Sequence, residues 1–259
     1  LEYAWSFGLP VISHSEDLDL SKGGLMHEGP VSTELGLPGI PAISETMAIA
    51  RDISLAEYTG TAVHVAHVSK SGSVDLVRKA KEKGVRVTAE TAPHYLFLTE
   101  ESLRDFDTNK KVNPPIGSAV DCTALREGLR DGTIDALASD HAPQSSVEKD
   151  VEFEYAANGI IGMETSLGLC LKLVEEGVLT LPQLIDKMSC APARILKVPG
   201  GTLERGSVAD ITVISPDRKW TVKVDGFRSK SRNCPFNGWE LKGKAVVTIV
   251  GGEIKYREI

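Results

Sequence analysis

The chain has 259 residues, of which 41% are hydrophobic and 25% charged, and its formal net charge is -7. An acidic chain without an apolar run of the ~20 residues that cross a bilayer argues against nucleic-acid and membrane partners. No Cys-x-x-Cys spacing occurs, so we expect free thiols in a reducing cytoplasm rather than a disulfide framework. The cysteines are Cys122, Cys170, Cys190 and Cys234.

Short apolar strands alternate with helical stretches along the first part of the chain. The predicted strands are 10–14, 61–68, 85–91 and 133–140, and the predicted helices are 44–60, 72–83, 99–105, 119–131, 162–176 and 181–195. Ser44 is the predicted N-cap of the first of these helices and Gly60 its stop. Strands that alternate with helices predict an α/β fold with a parallel sheet and right-handed crossovers.

The sequence pattern changes near residue 200, from alternating strands and helices to short strands with turns. Three stretches with turn signals between them predict short strands, the last two forming a hairpin around Gly251-Gly252. We therefore predict two parts, an α/β part at 1–199 and a small β-rich appendage at 200–259. The first residues read as the tail of a helix, and we expect the chain to begin in the middle of a fold.

Polar residues stand at the ends of three predicted strands. His14 ends the first strand, His67 lies near the end of the second, and Asp140 ends the fourth. In parallel α/β folds these ends gather at one edge or mouth, where ligands bind. Imidazoles and a carboxylate together suit zinc, which polarises carbonyls and acidifies water. Asp140 is suited to accept a proton from water and to pass it to a leaving nitrogen.

The other histidines receive separate predictions. His64 is three residues before His67, so strand alternation places the two on opposite faces, and only one can face a barrel interior. We expect His94, in TAPHYL, to shape a loop rather than to bind metal. His141 is expected to orient a ligand through a hydrogen bond, and His27 has no predicted role.

Several motifs resemble those of dihydroorotases of the type found in many bacteria and archaea, within the amidohydrolase superfamily. The resemblance runs over essentially the whole chain. It rests on HSED (14–17), VHVAHVS (63–69), VTAETAPHYL (87–96), KVNPP (111–115), DGTIDALASDHAP (131–143), GIIGMETSL (159–167) and PFNGWELKGKAVVTIVGGEI (235–254). It implies a metal-bearing TIM barrel that interconverts N-carbamoyl-L-aspartate and dihydroorotate in pyrimidine synthesis.

The resemblance also implies roles for individual residues. His14 and His67, favoured over His64 by its HVS context, are similar to two ligands of one zinc. Asp140 is similar to a ligand of a second zinc and to the general acid/base. The implied substrate-binding positions are Asn113, Gln144, Asn158 and Gly159.

The chain departs from the family pattern in two ways. It has no His-x-His pair, so we expect only strands five to eight of the barrel with the appendage, a fragment that is not active alone. Gln144 stands where the family usually has a histidine, and KVNPP lacks the arginine that often follows it. A glutamine cannot carry charge, so binding of an anionic substrate is expected to weaken.

Two alternatives stay open for the parent protein. One is another cyclic amidase, similar to hydantoinases or allantoinases. The other is an inactive dihydroorotase-like subunit that supports aspartate carbamoyltransferase. For the enzyme itself we expect a small-molecule substrate and a homo-oligomer.

Overall fold

The computed structural model describes residues 1–258. Its strands are β1 (Val11–Ser13), β2 (Met26–His27), β3 (Gly39–Ile40), β4 (Val63–Val65), β5 (Val87–Thr91), β6 (Ala136–Leu137), β7 (Ile211–Thr221), β8 (Glu240–Val250) and β9 (Glu253–Arg257). Its α-helices are α1 (Glu2–Ser6), α2 (Leu18–Ser21), α3 (Pro30–Leu35), α4 (Ile43–Thr59), α5 (Ser71–Glu82), α6 (Pro93–Phe97), α7 (Ala119–Asp131), α8 (Ser146–Lys149), α9 (Ser166–Glu175), α10 (Leu181–Ile185) and α11 (Ala191–Leu196).

A parallel sheet in the order β1-β4-β5-β6 organises the first part of the chain. Ser13 pairs with Val65, and Val65 pairs in turn with Ala89, so the strands advance in register toward the same edge. The predicted α/β arrangement of parallel strands is confirmed. Its consequence for the site is that the residues following β1, β4, β5 and β6 all emerge at the carboxyl edge of one sheet.

Helices α4 and α5 cover this sheet and end as the sequence predicts. Gly60 and Gly84 follow them with φ of +67° and +78°, a left-handed conformation that glycine adopts without a Cβ clash. The predicted N-cap was wrong: α4 begins at Ile43, and the Ser44 hydroxyl donates instead to the carbonyl of Asp17 at 3.0 Å. Ser44 therefore anchors the loop after β1 to the first turn of α4.

The core lies between the parallel sheet and its helices. Val63 and Val65 of β4 are 2% and 0% exposed, as expected of parallel strands that are covered on both faces. Leu125 and Leu129 of α7 pack into the same core, and each such buried side chain contributes about 1.5–3 kcal/mol. This packing makes the sheet a rigid base for the loops at its carboxyl edge.

The C-terminal strands form a separate antiparallel sheet in the order β7-β8-β9. The predicted hairpin turn is present, with Gly251 and Gly252 at φ of +59° and +82°. Gly168 of α9 lies against Leu241 of β8, where an added Cβ would approach the leucine to 3.1 Å. The boundary near residue 200 stays a prediction.

The fourth predicted strand is shorter than expected. Only Ala136–Leu137 of the predicted 133–140 pairs with β5, because the chain leaves the ladder before Asp140, whose φ is +45°. The predicted helix at 99–105 is a 3-10 segment over Glu100–Asp105, and the predicted 181–195 helix contains a π turn at Asp186–Cys190. Over the described range 1–258, no helix is long and apolar enough to cross a membrane.

Candidate active site

Two predicted ligand residues meet at the carboxyl edge of the sheet. His14 follows β1 and His67 follows β4, and His14 Nδ1 lies 2.9 Å from His67 Nε2. Burial lowers the pKa of His67, so its neutral form, with a lone pair available for a metal, is favoured. The two strand ends thus bring two imidazole nitrogens face to face, although 53 positions separate them in sequence.

Glu16 orients this pair, and the sequence reasoning did not single it out. Its Oε2 lies 2.9 Å from His14 Nε2 and accepts a hydrogen bond of 3.0 Å from Asn113 Nδ2. Burial alone would raise the pKa of Glu16, but hydrogen bonds from His14, Ser21 and Asn113 outweigh it and lower that pKa. In the His14 tautomer that donates Nε2–H to this carboxylate, the lone pair is on Nδ1 and faces His67.

The donor set of His14 and His67 fits a divalent metal of the zinc type in part. The two imidazole nitrogens face each other 2.9 Å apart, and neutral imidazole nitrogens are common zinc ligands. Within residues 1–258, no group of three or more histidine, cysteine, aspartate or glutamate side chains is placed so that it could hold a metal ion. The residues that could hold a metal are therefore His14 and His67, with Asp140 nearby and further coordination positions to be filled.

Asp140 and His94 extend this group into a cluster, named here the histidine cluster (His14, His67, His94 and Asp140), in which His94 is buried, His67 and Asp140 are partly buried, and His14 is exposed. His94 Nε2 lies 3.5 Å from Asp140 Oδ2. In the described part of the chain, neither atom has a hydrogen-bond partner, and the same holds for His67 Nδ1. Buried polar atoms without partners are costly and rare in folded proteins, which makes this cluster the candidate binding site.

The charges of the histidine cluster are tuned by burial. Burial raises the pKa of Asp140, although His67 opposes this, and Glu90 raises it further. Burial, followed by repulsion from His67, lowers the pKa of His94 to about 3, so this ring is neutral at ordinary pH. His94 lies in the site itself, whereas the sequence suggested only a loop-shaping role. The available signal was its position just after β5, at the same edge as the other ligand candidates.

Two residues of the histidine cluster adopt unusual backbone conformations. His67 has φ of +36° and Asp140 has φ of +45°, where side chains other than glycine are strained. Such strain costs about 1–3 kcal/mol per residue and concentrates at functional sites. It turns both side chains out of the strand direction at the positions where β4 and β6 end.

The remaining predicted residues form a second group, carried by the post-β6 loop (residues 141–160). Gln144 Nε2 donates to the carbonyl of Asn158 at 2.8 Å, and Gly159 N donates to the carbonyl of Lys111 at 2.9 Å. Because Lys111 is two positions before Asn113, the post-β6 loop is tied to the segment that carries Asn113. Within the described residues, Gln144, Asn158 and Gly159 make no hydrogen bond to the histidine cluster itself.

Two buried lysines hold the post-β6 loop from inside. Lys149 Nζ donates to the carbonyls of Thr108, Lys111 and Ala157 at 2.8, 3.2 and 2.7 Å. Lys111 Nζ donates to the carbonyls of Phe153 and Glu154 at 2.7 and 2.9 Å. Burial, and secondly repulsion from Lys111, lowers the pKa of Lys149 to about 8. Both ammonium groups bond only main-chain carbonyls in the part of the chain that the structure describes.

Three other histidines lie outside the histidine cluster. His64 is 3% exposed and contacts Thr88 Oγ1 at 2.8 Å and Glu90 Oε2 at 3.2 Å, so it links β4 to β5 rather than joining the cluster. His141 Nδ1 accepts from the main-chain N–H of Gly162 at 3.2 Å. The structure thus gives His141 a role in holding the chain, which differs from the predicted ligand-orienting bond. His27 is buried beside Asp121, 4.0 Å from its carboxylate.

Sequence relatives match the whole chain. It is 60% identical over 257 residues to a dihydroorotase of Geobacter metallireducens, a match that covers 99% of the chain and 61% of that relative. It is 57% identical over 258 residues to a dihydroorotase of Syntrophus aciditrophicus, covering 100% of the chain and 61% of the relative. The chain thus spans about three fifths of the length of the curated relatives that it matches.

Solved structures and a family model also match the chain. An L-hydantoinase (dihydropyrimidinase) from Arthrobacter aurescens superposes with a TM-score of 0.88 at 28% identity, over 99% of this chain and 59% of that one. A dihydropyrimidinase from Brevibacillus agri gives 0.86 at 26% identity, over 99% and 59%. These matches confirm the predicted TIM-barrel amidohydrolase fold, present here in part. The amidohydrolase family model matches residues 20–255. The chain belongs to the amidohydrolase family.

Proposed function

We propose that the full-length protein carrying this chain is a zinc-dependent dihydroorotase. It interconverts dihydroorotate and N-carbamoyl-L-aspartate in pyrimidine synthesis. The observation that carries the proposal is the 2.9 Å apposition of His14 Nδ1 and His67 Nε2, with the unpartnered Oδ2 of Asp140 in the same cluster. Dihydroorotases that are 54–60% identical over nearly all of the chain supply the choice of substrate.

In this proposal His14 and His67 hold one metal ion, and Asp140 contacts a second. When bound, the metal supplies Lewis acidity to the ring carbonyl and to water. Asp140 accepts a proton from the attacking water and returns it to the ring nitrogen as the C–N bond breaks.

The substrate carries a carboxylate, and the second group of residues suits an anion. Asn113 and Gln144 each have two amide N–H bonds, of which one is occupied by Glu16 and by Asn158 respectively. One donor remains on each side chain. Lys111 and Lys149, whose ammonium groups bond carbonyls only, add positive charge beneath the post-β6 loop.

The test is to assay dihydroorotate ring opening by the full-length protein and by Asp140→Asn, with bound metal measured in parallel. Removal of a positioned proton shuttle is expected to lower kcat by about 10²- to 10⁴-fold. Asp75→Asn, an exposed aspartate of α5, is the matched control and is expected to keep full activity. Full activity in Asp140→Asn would overturn the proposed role.

A second candidate is a cyclic amidase with another ring as substrate. It is favoured by the hydantoinase and dihydropyrimidinase names of the matching structures and by the neutral Gln144. The same assay with hydantoin and dihydrouracil separates the candidates, since both rings lack the carboxylate. Turnover of these rings without turnover of dihydroorotate selects the second candidate.

The proposal extends to assembly. A homo-oligomer, or a complex with aspartate carbamoyltransferase in which this protein is inactive, follows from the resemblance and is tested by sedimentation with and without that enzyme. A stable complex that binds no metal and opens no ring would replace the enzymatic proposal with the scaffold role.

A further inference from the structure

The connection between β7 and β8, residues 222–239, returns from the antiparallel sheet to the post-β6 loop and to the segment that directly follows it. The main-chain N–H groups of Arg228 and Ser229 donate to the Glu164 carboxylate, each at 3.1 Å. The N–H of Ile161 donates to the carbonyl of Asn233 at 3.0 Å. The C-terminal strands therefore reach the candidate site through this connection.

Asn233 makes the most directed contacts of the connection. Its side chain is 2% exposed. Its Oδ1 accepts from Gln144 N at 3.2 Å, and its Nδ2 donates to the carbonyls of Ala142 and Gly159 at 2.9 and 3.0 Å. A side-chain amide offers one acceptor group and two N–H donors, so both functional groups of Asn233 are engaged, and every partner is main chain.

These partners belong to two stretches that run side by side. Ala142 N donates to the carbonyl of Ile160 at 2.9 Å, within a parallel bridge between His141 and Ile160. Gly159 approaches so closely that an added Cβ would lie 2.6 Å from the carbonyl of Ala142. The first stretch begins at Asp140 and leads to Gln144, and the second carries Asn158 and Gly159. Asn233 spans the two and fixes their separation.

We propose that Asn233 is a positioning residue for substrate recognition, acting through the main chain of Gln144 and Gly159. It makes the β-rich part of the chain a contributor to the substrate pocket rather than an appendage. This role rests on the proposed function, because its kinetic test uses dihydroorotate as the substrate. It predicts that loss of the amide donors weakens substrate binding while proton transfer at Asp140 continues.

The test is Asn233→Asp in the full-length protein. The carboxylate retains the acceptor for Gln144 N but places an oxygen against the carbonyls of Ala142 and Gly159, which pushes the two stretches apart. We expect the KM for dihydroorotate to rise about tenfold or more, with kcat within about threefold and metal content unchanged. Asn237→Asp is the matched control, since exposed Asn237 only accepts from Val224 N at 3.1 Å and keeps that acceptor as aspartate.

A second measurement does not depend on activity. Hydrogen exchange at the amides of Ala142 and Gly159, which join the two stretches to their neighbours, is expected to be about tenfold faster in Asn233→Asp than in Asn237→Asp. If the unsubstituted protein does not open dihydroorotate, the proposed function fails, and the exchange result alone decides the positioning role. Should Asn233→Asp not fold, Asn233→Ser gives the same readings without a charge. Unchanged exchange, or loss of kcat together with metal, overturns the inference.

Discussion

The histidine cluster and the post-β6 loop differ in whether their buried polar atoms have hydrogen-bond partners. In the cluster, His67 Nδ1, His94 Nε2 and Asp140 Oδ2 are buried without partners among residues 1–258. Around the loop, the ammonium groups of Lys111 and Lys149 and the side-chain amide of Asn233 are hydrogen-bonded to main-chain groups. This difference indicates two functions. The unpaired atoms of the cluster are available to a ligand, whereas the paired groups around the loop fix its conformation before a ligand binds.

The largest expected effect is a loss of metal affinity at the histidine cluster. His67→Ala removes one of the two facing nitrogens, and we expect metal affinity to fall by more than the roughly 100-fold that loss of an outer hydrogen-bond partner costs. Equilibrium dialysis against zinc measures it. His64→Gln is the control, expected to lower stability but to keep metal affinity, since His64 bonds Thr88 and Glu90. Wild-type affinity in His67→Ala would remove this residue from the ligand set.

Glu16→Gln tests whether the cluster depends on its orienting carboxylate. The amide still accepts from His14 Nε2 but carries no charge, so metal affinity is expected to fall about 10- to 100-fold. The absorption spectrum of the cobalt-substituted protein is expected to change with it. Glu57→Gln, an exposed position on α4, should leave both unchanged. An unaltered affinity and spectrum in Glu16→Gln would argue against the orienting role.

Gly159→Ala tests how tightly the two stretches of the post-β6 loop are packed. Its φ of +140° and the 2.6 Å approach to the Ala142 carbonyl predict destabilisation by about 1–3 kcal/mol. Gly200→Ala is the control, because Gly200 has nearly the same φ, +138°, and no atom of the described residues lies within 4 Å of an added Cβ there. Urea unfolding of both variants isolates the contact from the backbone strain. Equal losses of stability would mean that the close approach is relieved without cost.

The smallest expected effect is a pH dependence from Lys149. Its pKa of about 8 in the folded protein lies below the usual 10.5, so the unfolded chain binds more protons between these values. Stability from this group therefore rises with pH above 8, by about 1 kcal/mol between pH 8 and 9. The difference between the unfolding free energies of the unsubstituted protein and Lys149→Met, measured across this window, should show the rise.

The control for the pH experiment is Lys83→Met, at the exposed end of α5. Its difference curve is expected to be flat over the same window. Lys111 and Asp107 are the charged neighbours that act on Lys149, and both remain in each variant. A flat curve for Lys149→Met would show that the loop does not hold this ammonium group in the manner described.

The sequence predicted the cluster better than the loop, for a physical reason. His14, His67 and Asp140 could be found because parallel strands end at one edge, a rule that depends only on local pattern. His94 obeys the same rule, but its place in a proline-containing turn concealed it. Asn233 lies 89 positions from Gln144 and has no local signature. Contacts of this kind arise from packing between distant segments, which hydrophobic periodicity does not encode.

The strand boundaries show the same limit. Apolar residues predicted a strand over 133–140, yet only Ala136–Leu137 forms a ladder. The chain turns at Asp140 with a left-handed φ that alternating hydrophobicity cannot reveal. The ends of helices, in contrast, were predicted closely where a glycine follows, as at Gly60, because a helix-ending glycine is a local sequence signal.

The shared oxygen of Glu16 has a consequence for how this protein can change. Oε2 receives both His14 Nε2 and Asn113 Nδ2, at 2.9 and 3.0 Å. A substitution at Asn113 therefore releases a hydrogen bond from the same atom that orients a metal ligand candidate, and the effects of changes at 14 and 113 will not add. The effect of a substitution at position 113 therefore depends on which residues occupy positions 14 and 16.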